Sequence, residues 1–147
     1  MSARINLGTY DAATVLHKPT VAAVTASAAG VVAATAKVID LGDAVSCMNA
    51  KAIVEVAACS VGAGAKITIN VQASDDAFAA DMVNVATLEL GDAGQIVGDV
   101  DQGAGRYELP FNNVVNGAAK RYLRAYATLA VLSPASSVSY IAYLVTV

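Results

Sequence analysis

The chain has no tryptophan, one histidine, two cysteines, three prolines and two phenylalanines in 147 residues. Each scarcity excludes something. A single histidine, His17, cannot build a His-based catalytic triad or a histidine-rich zinc site. Cys47 and Cys59 could pair in principle, but with no secretion signal in view they are read as free, small, buried side chains. A domain of this length buries roughly 70% of its unfolded surface and needs neither a disulfide nor a metal to fold. Apolar runs are also short. Gly, Thr, Ser and Asn interrupt every one before the roughly 20 residues of a membrane span. The N-terminal MSARINLGTYDAAT has no apolar core behind Arg4, so a secretory signal is not expected.

Charge is the scarcest property. Charged residues make up 14% of the chain, against about a quarter in a typical soluble domain. A surface so poor in charge is expected to lie largely against partners. The net charge of −3 argues against a nucleic-acid partner, which would demand a basic stripe.

Chemical motifs are equally sparse. GAGAK (62–66) leads into a strand rather than a helix and lacks phosphate-loop spacing. Asp75 and Asp76 are paired acids after a strand, the material of a calcium site or of a solvated turn; the turn is the simpler reading. GDVDQGAG (98–105) lacks the spacing and closing Glu of an EF-hand loop and reads as a hairpin loop. Nothing assembles a nucleophile, a base and an oxyanion donor. No enzymatic activity, cofactor or metal is expected.

What the chain does have is strands. In KITINVQAS (66–74), Lys66, Thr68, Asn70, Gln72 and Ser74 alternate with Ile67, Ile69, Val71 and Ala73, the period of a half-buried strand. KVIDLG, KAIVEVAACS, VNVATLEL, GQIVGDV, RYELPF and SVSYIAYLVTV read similarly, and Gly, Asp, Asn or Pro punctuate most of the gaps. A single helical turn at DDAFAADM is the one helical candidate. Eight or nine short strands predict an antiparallel sandwich, jelly roll or barrel. Residues 1–36 differ. TVAAVTASAAGVVAATA shows no sustained period, apart from a short strand near Thr20–Ala26, and Gly30 weakens a helix there. This segment is expected to be an extended arm that orders on a partner, with the sandwich domain at 37–147.

The most unusual stretch is KRYLRAYATLAVL (120–132). Leu123, Ala125, Ala127, Leu129 and Val131 form an apolar face; Tyr122, Arg124 and Tyr126 form the other. Two readings stay open. The row packs inside the molecule under another sheet or the arm, or it is an interface, where Tyr and Arg serve as anchors. Tyr140 and Ala142 against Ile141 and Tyr143 make a second row, and Tyr107, Pro110 and Phe111 a third cluster.

Together, KVIDLGDA (37–44), INVQASDDAF (69–78), GRYELPFNNVVNGAAKRYLRAYATL (105–129) and the following SYIAYLVTV resemble a family of tailed-phage capsid cement (head decoration) proteins. The resemblance spans about residues 36–147; the N-terminal tract departs from it. It implies an all-β, jelly-roll-like antiparallel sandwich on the exterior of an icosahedral virion, assembled in the host cytoplasm. The implied partners are the major capsid protein and further copies of the chain, as a homo-dimer or homo-trimer, with no nucleic acid and no membrane. Tyr122, Arg124, Tyr126, Tyr107 and Phe111 are the candidate partner-binding residues. A carbohydrate- or receptor-binding sandwich of a phage tail or adhesin is the alternative, weakened by the absence of Trp.

Overall fold

Alternating polarity becomes alternating burial. The computed structural model describes residues 14–18, 23–43, 46–62, 64–91, 103–129 and 136–146. Along them run strands β1 (Val15–His17), β2 (Ala28–Ala29), β3 (Val31–Val32), β4 (Thr35–Ala36), β5 (Ile39–Asp40), β6 (Asn49–Ser60), β7 (Lys66–Ser74), β8 (Val83–Gly91), β9 (Gly105–Asn112), β10 (Val114–Val115), β11 (Ala118–Ala119), β12 (Tyr122–Leu129) and β13 (Ser137–Thr146). GQIVGDV and Val131 lie outside the described residues.

Two antiparallel sheets form a β-sandwich. One has the order β1–β13–β6–β9; the other has β2–β12–β7–β8, with β5 also pairing along β12. The connections β6–β7, β8–β9 and β12–β13 each cross from one sheet to the other, while β7–β8 stays within its sheet. Two small hairpins, β3–β4 and β10–β11, sit outside the sheets. The second turns on Asn116 and Gly117, both at positive φ, as a two-residue hairpin turn requires.

The core lies between the sheets. Ile67, Ile69, Val71 and Ala73 of β7 and Leu123, Ala125, Ala127 and Leu129 of β12 face Ala50, Ala52, Val54 and Val56 of β6 and Val138, Tyr140, Ala142 and Leu144 of β13. Small Ala and Val side chains leave room for Tyr140 and Phe111 between the layers. Pro110, which cannot donate a ladder bond, sits on edge strand β9, where one side needs no donor.

The arm expected at residues 1–36 requires correction where it is described. Val15, Leu16 and His17 are buried, and β1 pairs with β13. Ala28 and Ala29 extend the other sheet by pairing with β12, and Ser27 Oγ accepts the Leu129 N–H at 2.9 Å. Residues 14–18 and 23–36 therefore strap both sheets, and a boundary at residue 36 does not separate them from the core. The missing periodicity has a physical reason: two- and three-residue strands at sheet edges are too short to show one. Gly30 has a specific task here. Its N–H donates to Ala125 O at 2.8 Å, and a Cβ on it would meet Leu16 O at 2.3 Å. Only glycine permits this backbone crossing.

Gly30→Ala is therefore expected to destabilise the protein by roughly 3 kcal/mol, because backbone rather than a flexible side chain must move. Gly103→Ala, with nothing within 4 Å of its Cβ, should stay within about 0.5 kcal/mol of the parent. Paired urea midpoints check this; equal midpoints would mean the crossing is loose.

Candidate functional site: the tyrosine–arginine face

Opposite the core, β12 presents Tyr122, Arg124, Tyr126 and Thr128 beside Ser74, Gln72, Asn70 and Thr68 of β7. Beyond them stand Asn84, Thr87 and Glu89 of β8. The face is polar yet tightly knit. Arg124 Nε donates to Gln72 Oε1 at 2.9 Å, and Gln72 Nε2 donates to Asn84 Oδ1 at 3.1 Å. Thr87 Oγ1 donates to Asn70 Oδ1 at 2.8 Å. Asn70 and Gln72 are consequently buried although they point away from the core.

Aromatic rings fix the arginine. Its guanidinium carbon lies 4.1 Å from the Phe78 ring centroid and 5.2 Å from that of Tyr126. Nη2 approaches Met82 Sδ at 3.6 Å. Partial burial lowers the guanidinium pKa below its ordinary value, with the Tyr126 phenol opposing, and the group stays a cation. Met82 is 50% exposed and is one of two exposed large apolar side chains among the described residues.

The turn 74–81 delivers Phe78 to this place. Ser74 Oγ accepts the N–H groups of Asp76 and Phe78, and Asp76 accepts those of Ala79, Ala80 and Asp81. These bonds hold the Asp76 carboxyl down to about 2. Ala77 and Phe78 lie at φ 55° and 70°, so DDAFAADM is a left-handed turn and not the helical turn expected. Its acids are engaged by backbone N–H groups and by lysine: Lys120 Nζ reaches Asp75 at 2.7 Å and Asp81 at 2.9 Å.

Beside it, Arg121 grips Asp40 through two bonds of 2.7 and 2.8 Å and also contacts Asp43. The Arg121 contact holds the Asp40 carboxyl down at about 2. The basic pair that opens the KRYLRAY stretch thus pins β5 and the 74–81 turn to the start of β12.

Of the five candidate residues, Tyr122, Arg124 and Tyr126 share this face. Tyr107 and Phe111 do not, and their assignment is corrected. Period-2 alternation turns both inward: Phe111 joins the core, and Tyr107 packs against it while its hydroxyl donates to Gly103 O at 2.7 Å. Phe78, Met82 and Gln72 were missed as members of the face. Gln72 was legible only as part of the polar side of β7, while Phe78 and Met82 carry no local sign, because the stack exists only once the turn has folded.

Elsewhere the chemistry is self-contained. A cleft of about 530 Å³ beside the β6–β13 bulge is lined by Glu55, Arg106, Ser139 and Ile141, among others. Its charges are engaged: Arg106 pairs with Glu55 at 3.8 Å, and the Tyr143 hydroxyl donates to Glu55 at 3.1 Å. No cluster of three metal-ligating side chains occurs among the described residues. Both cysteines are free, but neither is fully buried as expected: Cys47 is exposed and Cys59 is partly buried. They cannot meet, since twelve residues that run mostly along β6 put roughly 40 Å between them. No protein-family model matches the chain, and no curated protein matches it in sequence.

The remaining titratable feature is internal. His17 stacks on Tyr140 with ring centroids 4.1 Å apart, and its Nδ1 accepts the Val31 N–H at 3.0 Å. The neutral ring therefore carries its proton on Nε2, which, like the Tyr140 hydroxyl, has no partner among the described residues. Burial lowers the His17 pKa to about 4, and protonating Nδ1 would also forfeit the Val31 bond. Above about pH 6.5 the ring is neutral folded or unfolded. As pH falls below that, the unfolded chain takes up a proton that the folded chain refuses. Stability should drop by about 2 kcal/mol between pH ~7.5 and pH ~5. Denaturant midpoints across that interval, with His17→Phe lacking the slope, check the expectation; a flat wild-type profile refutes it.

Proposed function

We propose that the protein is a non-enzymatic structural component of a phage virion that binds the outer surface of an icosahedral capsid and ties neighbouring major capsid subunits together. The observation that carries this reading is the Tyr122–Arg124–Tyr126 row. Its three side chains are partly exposed on the outer face of their sheet, and Phe78 and Met82 flank Arg124. Tyr, Arg, Phe and Met are the residues enriched in protein interfaces. The four-stranded and five-stranded sheets, with the chain passing repeatedly between them, also support the jelly-roll form that the family resemblance implies. In this reading the chain acts in several copies, as a homo-dimer or homo-trimer on the capsid exterior, without cofactor, metal, nucleic acid or membrane.

A carbohydrate-binding module is the competing reading, favoured by the amides of Asn70, Gln72 and Asn84 near Tyr126. It is weakened because Asn70 and Gln72 are buried and already bonded within the face. Depletion of the protein by insoluble polysaccharides separates the two.

Core and face should respond differently to truncation. Leu123→Ala and Leu129→Ala are expected to lower stability by roughly 2–5 kcal/mol. Tyr122→Ala and Tyr126→Ala should lower it less and instead reduce occupancy on heads lacking the native protein, since such anchors contribute about 2 kcal/mol or more to binding. Denaturant midpoints and head-binding assays are run on the same variants. If occupancy survives while the midpoints fall as far as for Leu123→Ala, the row is internal packing.

A further inference from the structure

The described arginines divide by their partners. Arg106 and Arg121 each hold carboxylates, as do Lys51, Lys66 and Lys120. Arg124 holds none. Its Nε is satisfied by Gln72, its Nη2 has only the weak acceptor Met82 Sδ, and its Nη1 has no partner among the described residues. In a chain whose acids outnumber its bases, twelve to nine, an arginine left without an acid is conspicuous. The side chains around it, Gln72, Asn70, Asn84, Thr87 and Tyr126, are all neutral.

The surroundings also immobilise this cation. Rings flank it on two sides, and Gln72 fixes its rotation. Phe78 reaches its position at a φ of 70°, in a left-handed region that an aromatic residue enters only at an energetic cost. A preorganised guanidinium loses little entropy when it takes a ligand. The neighbouring cation, Arg121 over the Tyr122 ring, is already held by Asp40 and Asp43, and one remaining arginine suits the single charge of a carboxylate better than the two charges of a phosphate ester. The net charge of −3 opposes a polyanion. Every described Asp and Glu is already engaged within its own chain, which favours an acid of a different protein over one of these in a second copy.

We propose that Arg124, held between Phe78 and Tyr126, is a receptor for an Asp or Glu side chain of a different protein, with Met82 as the apolar contact beside it. The proposal rests on reading this face as a partner surface, but not on that partner being a capsid.

The test uses the isolated full chain with labelled arginine side chains and methionine methyls, titrated with acetyl-Ile-Glu-Ile-amide and acetyl-Ile-Gln-Ile-amide. The Glu peptide is expected to shift the Arg124 Nε and Met82 methyl resonances saturably and to bind about tenfold more tightly than the Gln peptide, the scale of one charge-assisted pair. Arg124→Gln should abolish that preference without moving the thermal midpoint substantially. Phe78→Ala should reduce it while leaving Arg124 in place. Equal affinity for the two peptides overturns the proposal, as does a Glu preference that survives in Arg124→Gln. So does a response to oligosaccharide at these resonances without any Glu preference. Head binding separates the two levels. A Glu preference without head binding removes the capsid reading and keeps the receptor. Head binding unchanged in Arg124→Gln, with no Glu preference, does the reverse.

Discussion

The pairing of β7 with β12 over eight residues, Tyr122 opposite Ser74 through Leu129 opposite Ile67, is the constraint on which the rest depends. Successive strand residues point to opposite faces, so this one register sets both sides of the molecule. Ile67, Ile69, Val71 and Ala73 with Leu123, Ala125, Ala127 and Leu129 make one wall of the core. The same register lines Arg124 up with Gln72 and Tyr126 with Asn70. A slip of one residue would drive Arg124 into the apolar layer and turn leucines outward. The large penalty for burying an unpaired charge therefore protects the outer face as firmly as it protects the core.

Around that pair, opposite charges fasten the loops. Lys120 and Arg121 draw in Asp75, Asp81, Asp40 and Asp43 at the start of β12. Exposed pairs of this kind contribute little singly. Here the bidentate Arg121–Asp40 contact and the doubly paired Lys120 form one network that docks β5 and the 74–81 turn together. The turn then presents Phe78 to Arg124. Sparse charge is thus spent on loop placement, and the face itself keeps one cation without an acid among the described residues.

Much of this was legible in the sequence, and the failures have common causes. Strands β7 and β12 announced both of their faces because each is long, regular and half-apolar. Strand β9 alternates equally well, but its aromatic residues were taken as a surface cluster when Tyr107 and Phe111 fall on the inward parity. The segment before residue 37 hid its role because its strands are two or three residues long and its key residue is a glycine, whose missing side chain leaves no pattern. Asn116–Gly117, a strong hairpin signal between two apolar pairs, was present in the sequence and went unread. Phe78 was illegible in a different way: its position depends on two consecutive left-handed residues stabilised by Ser74 and Asp76, which no local propensity favours.

The placement of β13 between β1 and β6 has a kinetic consequence. Two strands from the first half of the described chain are held by one that comes much later, so neither gains its neighbour until the intervening residues have been made and arranged. Pairings of such long sequence separation make folding slow, on a scale of about milliseconds to seconds. Throughout that interval β6, twelve residues long, waits with one edge unpaired. Premature association between growing or newly released chains would begin at that edge.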